Sequence, residues 1–246
     1  MGVSDRALRW EALLNARDLG GIPAAHGQVR RGAIIRSDAL YRLNDAGRAA
    51  LVAHGVRTVI DMRGTREMAA NSYELDATTG VTRHHIPQQS EEMWERVRGR
   101  ERIEFDLTML ELARRNFVAI ARAIANAPDG GVLIHCEVGK DRTGLMTMLL
   151  LDLVGTPADV IAADYGLTAA GLARLFADLI ANAESDERRT RLREEALCRA
   201  EVMAAIHAGF RARYGDAEMY LRLGGASRET LHAIRARMLE RASPAT

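Results

Sequence analysis

The chain has 246 residues and a mass of 27.0 kDa, the size of one large domain. Hydrophobic residues make up 48% and charged residues 27%, an ordinary globular composition that excludes a disordered or collagen-like chain. Because 34 Lys and Arg residues nearly balance 33 Asp and Glu residues, the net charge of +1 gives no electrostatic sign of a nucleic-acid partner.

The cysteine content and the amino-terminal residues indicate the compartment. Cys136 and Cys198 are the only cysteines, so the chain is not a disulfide scaffold. The first 20 residues carry several charges and no apolar core, so no signal peptide is predicted. The longest apolar stretch, residues 145–154, is too short to span a bilayer. We therefore expect a cytoplasmic protein without stable membrane insertion, and the oligomeric state stays open.

The first 160 residues alternate between short β-type runs and helical patterns. A helix is predicted over residues 44–54, with Asn44 or Asp45 as cap and Gly55 as stop, and an amphipathic helix over residues 106–127. Strands separated by helices predict an α/β fold with a mostly parallel central sheet. The predicted strands are residues 33–35, 56–61, 81–86 and 132–135.

After residue 156 the strand patterns end, and only helical patterns follow. These helices either pack on the sheet or form a lid over a site, and segment 183–194 is polar nearly all round, as an exposed or mobile helix would be. We expect a single domain over residues 1–246, with a core of about 1–160 and a helical extension or lid of about 161–246. The predicted helices are 157–165, one from 168, 186–214 and 227–241.

The candidate catalytic residues lie within residues 132–154. The pattern of this segment predicts a strand, a loop with the sequence HCEVGKDRTG, and a helix. Cys136 is followed six positions later by Arg142, Gly139 lets the loop turn, and the only lysine of the chain, Lys140, lies between them. A loop between a strand end and a helix start aims backbone N–H groups inward, and the helix N-terminus adds partial positive charge. This combination predicts a site for a phosphate dianion.

Four side chains in and beside the loop can each be assigned a role at the phosphate site. Arg142 has the planar fork that grips phosphate oxygens, and Cys136 as thiolate can attack phosphorus to give a phosphocysteine. Thr143 can hydrogen-bond the sulfur, and His135 is expected to hold the loop rather than to act as a base. No metal or cofactor is expected. The predicted phosphate cradle is Glu137, Val138, Gly139, Lys140, Asp141 and Arg142.

Four alternatives bear on these residues. Cys136 can be a buried core residue, and Cys198 is either packing or redox-active. A nucleotide-binding Walker loop is excluded, because Asp141 stands where that motif needs Ser or Thr. Lys140 either favours the Cys136 thiolate or binds a second anionic group beside the main phosphate, and the second role would fit a phosphoinositide substrate.

The loop HCEVGKDRTG resembles the active-site loop of the cysteine-dependent protein tyrosine phosphatase superfamily, and most of the chain resembles its bacterial tyrosine phosphatase group. This resemblance implies a tyrosine phosphatase-like fold and metal-independent hydrolysis of phosphate monoesters. Other segments that resemble the group are residues 15–21 (NARDLGG), 35–37 with Leu40, 60–63 with Glu67, 164–165, 214–215 and 220–221.

The general acid is not where the wider superfamily usually has it. That superfamily takes an aspartate from a separate loop, but residues 86–90 contain none. Asp106 is predicted to cap a helix, so Asp141 is the preferred acid, because a neighbouring phosphate and thiolate would favour its protonated form. Asp61 and Arg63 either orient Arg142 or form a structural ion pair.

We therefore predict an enzyme that hydrolyses phosphate monoesters through Cys136, Arg142 and Asp141. The expected partner is a phosphorylated protein, with phosphotyrosine or dual specificity. The alternatives are a phosphoinositide phosphatase and a non-catalytic module that only binds phosphorylated partners.

Overall fold

The computed structural model describes residues 6–75 and 79–239. Seven strands occur in these residues, most of them short. In chain order they are β1 (Arg17–Asp18), β2 (Pro23–Ala24), β3 (Gly27–Gln28), β4 (Ile34–Ser37), β5 (Val56–Asp61), β6 (Thr82–His85) and β7 (Gly131–His135).

Twelve α-helices occur in the same described residues, and more than half of them follow β7. In chain order they are α1 (Asp45–Ala53), α2 (Thr65–Ala70), α3 (Glu91–Val97), α4 (Arg102–Leu112), α5 (Arg114–Asn126), α6 (Asp141–Leu153), α7 (Ala158–Gly166), α8 (Thr168–Ala181), α9 (Asp186–Ala196), α10 (Ala200–Tyr214), α11 (Ala217–Leu223) and α12 (Arg228–Met238).

Five of the strands form one sheet in the order β1-β4-β7-β5-β6. The pairs β4–β7, β7–β5 and β5–β6 are parallel, and only the edge strand β1 is antiparallel to its neighbour. The central strand β7 is buried along its whole length, as expected for a parallel strand covered on both faces. The predicted α/β fold with a mostly parallel sheet is confirmed, and all four predicted strands are present.

The two faces of the sheet pack into different cores because side chains alternate along a strand. Ile34, Ile60 and Ile134 join the larger core, to which most helices after α3 contribute. The adjacent residues Ile35 and Leu133 join the smaller core on the other face, which contains the amino-terminal segment and α1. The sheet is therefore a middle layer, and its strand ends are held in place from both sides.

Two long predicted helices are broken in the structure. Residues 106–127 divide at Ala113, because α4 packs against α3 and α10 whereas α5 packs against α12. Residues 186–214 divide at 197–199, where Cys198 has a φ of 37°, and there α9 packs on α8 while α10 packs on α7. Asp106 was predicted to cap a helix, but α4 begins earlier, at Arg102, so Asp106 lies inside the helix. The hydrophobic periodicity of the sequence runs through both breaks, so one helix was predicted at each place. The structure has two helices there, because the two halves pack against different partners.

Other predicted helix ends agree with the structure. The Asn44 side chain accepts a hydrogen bond from Gly47 N at the start of α1, and Ser227 accepts one from Thr230 N at the start of α12. Gly55 follows α1 with a φ of 88°, a conformation that favours glycine. The last predicted helical residue, Arg241, lies outside the described residues.

The helices after residue 156 divide into two groups. Helices α7, α10, α11 and α12 contribute buried side chains to the larger core, which we call the main core, so they pack as ordinary core helices. Helices α8 and α9 form a hairpin with a small core of its own, built on Leu172, Phe176 and Leu192, and Val138 of the cysteine loop packs against that core. We call this pair the α8–α9 hairpin.

Among the described residues, one helical stretch, Ala158–Ala181, is long and apolar enough to cross a membrane by length and composition. Core helices pass the same test. In the structure this stretch is α7 followed by α8, and α7 packs against α10.

Candidate active site

The cysteine loop lies at the carboxyl ends of the three central parallel strands. His135, the last residue of β7, is in register with Ser37 of β4 and Asp61 of β5. Gly139 turns the loop with a φ of 68°, and a Cβ atom there would lie 2.4 Å from the carbonyl oxygen of Ser37. Only glycine fits this position, both for its backbone conformation and for the close approach to β4.

The backbone of the loop presents free donors. Helix α6 begins at Asp141, directly after the loop. Within the described part of the chain, none of the backbone amides of residues 137–142 donates a hydrogen bond to a protein acceptor. Unpaired amides at a helix N-terminus form a binding place for an anion. The geometry is therefore that of the predicted phosphate cradle, with the buried Cys136 at its base.

Arg142 is held by a glutamate of α2. Its guanidinium forms a two-pronged ion pair with Glu67, in which Nη2 lies 2.6 Å from Oε1 and Nη1 contacts Oε2. Glu67 also accepts a hydrogen bond from Gly64 N, which fixes the carboxylate at the start of α2. Although burial opposes it, the charges of Cys136 and Glu67 raise the pKa of Arg142. Arg142 thus stays charged and oriented.

Asp61 and Arg63 were expected either to orient Arg142 or to form a structural ion pair. In the structure they pair with each other, and within the described residues neither is hydrogen-bonded to Arg142. Arg63 Nη2 lies 2.9 Å from Asp61 Oδ2, and Arg83 lies 3.1 Å from the same oxygen. Burial alone would raise the pKa of Asp61, but the Arg63 hydrogen bonds and the surrounding positive charges lower it to about 2. Arg63 also lies 3.7 Å from Glu137 in the loop. This pair supports the loop from below, and Glu67 takes the orienting position.

His135 holds the backbone of the loop. Its Nδ1 donates to the carbonyl oxygen of Cys136 at 3.0 Å, and Nε2 therefore accepts from the Tyr73 hydroxyl at 2.6 Å. Burial lowers the pKa of His135 to about 4, which keeps the ring neutral at physiological pH. These contacts fit the expected role in the scaffold. The Thr143 hydroxyl is buried without a hydrogen-bond partner among the described residues, so the expected bond to the sulfur is not formed here.

Asp141, the expected acid, is ion-paired in this structure. Its Oδ1 accepts from Arg102 Nη2 at 2.7 Å and from the Tyr165 hydroxyl at 3.1 Å. Burial raises the pKa of Asp141, but Arg102, Lys140 and the hydrogen bonds lower it by more. The sequence argument favoured a protonated Asp141, because it considered the bound phosphate and the thiolate and did not include Arg102.

Lys140 is buried and contacts the α8–α9 hairpin. Its ammonium donates to the carbonyl oxygen of Glu195 at the end of α9 and lies 5.7 Å from the centre of the Phe176 ring in α8. The nearest carboxylate is Asp141, at 3.9 Å. Lys140 therefore joins the cysteine loop to the hairpin, and its side chain does not extend towards solvent beside the loop.

The structure also shows functional neighbours to which the sequence assigned no role. Asn15 Nδ2 donates to the carbonyl oxygens of Val138 and Gly139, and Arg36 Nη2 donates to Gly139 O at 2.8 Å. Asp164 of α7 binds the Arg36 side chain at 2.8 Å, and Arg6 and Arg17 pair with the same carboxylate. In the sequence, Asn15, Arg17, Arg36 and Asp164 were marked only by lying in segments that carry the family resemblance, and Arg6 was not marked at all.

Two other sequence features have structural positions. Cys198 is buried at the bend between α9 and α10, where burial raises its pKa, which is typical of a packing cysteine. In the described part of the chain, no group of three or more His, Cys, Asp or Glu side chains is placed to hold a metal ion.

A cysteine after the central parallel strand, an arginine at the start of the next helix and a cradle of free amides between them define the cysteine-dependent phosphatase class. The model of the tyrosine phosphatase family matches residues 8–240, and the chain belongs to that family. The chain is 29% identical to a tyrosine-protein phosphatase of Nostoc commune, over 84% of this chain and 74% of that protein. It is also 29% identical to the triple specificity protein phosphatase PtpB of Mycobacterium tuberculosis, over 92% of this chain and 96% of that protein.

Proposed function

We propose that this protein is a protein-tyrosine or dual-specificity phosphatase that works through a phosphocysteine intermediate. The observation that carries the proposal is the joint placement of Cys136 and Arg142 around a loop of unpaired amides at the start of α6. A phosphate dianion in this loop would be bound by the amides and by Arg142, with its phosphorus above the Cys136 sulfur.

The reaction follows in two steps. The Cys136 thiolate attacks phosphorus, the bond to the leaving oxygen breaks, and Asp141 gives that oxygen its proton. Water then attacks the phosphocysteine, its proton returns to Asp141, and inorganic phosphate and the thiolate are regenerated. Arg142 stabilises the charge on the equatorial oxygens in both transition states, and its ion pair with Glu67 fixes its orientation beforehand.

The surface beside Arg142 favours a protein substrate over a phosphoinositide. A cleft of about 1080 Å³ opens next to Arg142 and is lined by α2, α3 and the loop between β6 and α3. Its charged lining is four glutamates and two arginines, a formal charge of −2, and it includes the half-exposed Trp94. Such a lining repels the additional phosphates of an inositol headgroup and accommodates the polypeptide on either side of a phosphoresidue. Lys140, which was the argument for a phosphoinositide, is engaged by Glu195.

The first experiment replaces the nucleophile. We expect Cys136→Ser to abolish turnover of p-nitrophenyl phosphate in EDTA and to keep binding of vanadate or phosphate, because the amide cradle and Arg142 remain. Initial rates and isothermal titration of vanadate measure the two properties. Retained turnover in the variant would contradict a cysteine mechanism, and absence of turnover in the wild type would favour a module that only binds phosphorylated partners.

The second experiment compares substrate classes. Phosphotyrosine peptides, phosphoserine peptides and phosphoinositides in vesicles are assayed with the wild type and with Lys140→Ala. We expect turnover of the peptides to exceed that of the lipid, and the variant to lose activity on all substrates in parallel, because Lys140 supports the loop. A selective loss of lipid turnover in Lys140→Ala would instead assign Lys140 to a second phosphate.

A further inference from the structure

Arg102 connects the expected acid to a second, buried carboxylate. Its Nη2 lies 2.7 Å from Asp141 Oδ1, and its Nε lies 2.6 Å from Asp106 Oδ2. Arg102 and Asp106 are one turn apart on α4, and Asp141 is the first residue of α6. A single guanidinium therefore serves two carboxylates from different helices.

Several other charged or titratable groups surround Asp141, Arg102 and Asp106. The groups that face Asp141 are Lys140 at 3.9 Å, Arg142 next in the chain, and the Tyr165 hydroxyl of α7 at 3.1 Å. Cys198, at the bend between α9 and α10, interacts electrostatically with Asp141, Lys140 and Arg102. Asp106 is almost fully buried and has no hydrogen-bond donor other than Arg102 among the described residues. Within the described ranges, Arg102 is the cation that forms ion pairs with both carboxylates, and the charge of Lys140 also acts on both.

We propose that Arg102 is a positioning residue that controls when Asp141 carries the proton for the leaving oxygen, by sharing its charge between Asp141 and Asp106. The proposal rests on the proposed function, in which Asp141 is the acid. Arg102 holds Asp141 at the edge of the phosphate cradle, and Asp106 draws part of the guanidinium charge away from it. Without Asp106, Arg102 would pair with Asp141 alone and keep it ionised.

The titration of the two carboxylates agrees with this arrangement. Burial, and then the charge of Asp141, raise the pKa of Asp106 to about 6 despite the charge of Arg102, whereas Arg102 and Lys140 lower the pKa of Asp141. A phosphate dianion entering the cradle adds negative charge next to Asp141 and shifts the proton towards it. That proton then passes to the leaving oxygen, and the attacking water returns it in the second step.

The experiment follows the basic limb of the pH profile of kcat/KM for phenyl phosphate, whose leaving group needs protonation. As the pH rises, Asp141 loses its proton and the rate falls. We expect Arg102→Met to shift this basic limb to higher pH by about one unit, because the cation that favours ionised Asp141 is removed. We expect Asp106→Asn to shift the limb to lower pH by a similar amount, because an anion is removed and Arg102 then pairs with Asp141 alone.

Control variants separate positioning from folding. Glu104→Gln changes an exposed carboxylate on the same helix, which pairs with Arg100 and Arg213, and should leave the limb in place. Arg102→Lys keeps the charge and should stay closer to the wild type than Arg102→Met. Thermal unfolding of each variant reports its fold, and if Arg102→Met does not fold, Asp106→Asn and Arg102→Lys decide.

Opposite shifts in Arg102→Met and Asp106→Asn, with KM changed less than threefold, are the expected result. Shifts in the same direction, or unshifted limbs in folded variants, would overturn the proposal. Turnover of p-nitrophenyl phosphate, which depends on Cys136 but not on an acid, is measured in parallel. If the wild type does not hydrolyse p-nitrophenyl phosphate, the proposed function itself is refuted. If it does and the basic limbs of the variants are unshifted, only the role of Arg102 is refuted.

Discussion

Cys136 and Arg142 are neighbours along the chain, but the side chains that tune them come from elsewhere. Glu67 on α2 orients Arg142, and Tyr73 holds His135 beneath the loop. Asp141 is held by Arg102 of α4 and Tyr165 of α7. At the scale of residues, one stretch of chain therefore supplies the nucleophile and the clamp, whereas their orientation and the state of the acid depend on side chains from other elements.

The role of Asp141 gives a prediction at this scale. Asp141→Asn should slow hydrolysis of alkyl phosphates far more than that of p-nitrophenyl phosphate, because p-nitrophenolate leaves without protonation. Loss of a general acid costs about 10²–10⁴-fold, so the ratio of the two rate losses should lie in that range. Steady-state kcat/KM for both esters measures it.

The control for this comparison is Glu104→Gln, which changes an exposed carboxylate on α4 and should leave both rates unchanged. Asp106→Asn removes the other carboxylate that Arg102 binds and tests whether Asp106 is the acid. If Asp141→Asn slows both esters equally and Asp106→Asn shows the leaving-group contrast, Asp106 is the acid.

At the scale of elements, the α8–α9 hairpin differs from its neighbours. In the described part of the chain its core consists of three buried side chains, Leu172, Phe176 and Leu192, whereas α10 contributes to the main core. Its contacts with the cysteine loop are made through Val138 and Lys140. The hairpin therefore covers the loop with few interactions, as a lid that opens for substrate would.

We predict that backbone amides of the α8–α9 hairpin exchange with solvent faster than those of β7 and α10. Lys140→Ala should speed exchange in α9 further, because the bond to the Glu195 carbonyl is lost, and should leave α10 unchanged. Hydrogen exchange read by mass spectrometry on peptides from each element measures this. Protection equal to that of β7 would show that the hairpin is ordinary packing.

At the scale of the whole molecule, a buried ion cluster joins the amino-terminal segment to the loop. Asp164 of α7 pairs with Arg6, Arg17 and Arg36, and Arg36 also donates to the loop carbonyl of Gly139. Burial disfavours the charge of Asp164, but the arginines around it hold its pKa well below the usual range. For the same reason of burial, the pKa of Arg36 falls to about 10. One carboxylate thus forms ion pairs with three cations from other parts of the chain.

Asp164→Asn should lower the free energy of unfolding by about 3–5 kcal/mol, because it leaves buried arginines without their counter-ion. Urea unfolding followed by circular dichroism measures the change. The control is Asp45→Asn, which removes an exposed pair with Arg48 and should cost less than about 1 kcal/mol. A loss of similar size in the two variants would show that the cluster contributes little.

The sequence alone was sufficient for the four parallel strands and for the loop, but it did not predict the edge strand β1 or the β2–β3 pair. The strand at Gly131–His135 was predictable because it is a nearly continuous apolar run, as expected for a parallel strand buried on both faces. The strand at Val56–Asp61 was predictable from its β-branched residues. The cysteine loop was predictable because Cys136, Gly139 and Arg142 lie within seven residues, and a phosphate site built on one loop leaves its whole pattern in one stretch of chain. The family resemblance rested on this loop and on further segments spread over most of the chain, and the match over residues 8–240 confirms it.

Tertiary structure decided the rest. The breaks at Ala113 and at Cys198 depend on which helix each half packs against, which periodicity along one helix does not encode. The pairing of Arg142 with Glu67 rather than with Asp61 depends on how α2 follows β5. The charge state of Asp141 depends on Arg102, 39 positions away. Electrostatic energy varies with distance in space, so the partners of a charged group become known only when the chain is folded.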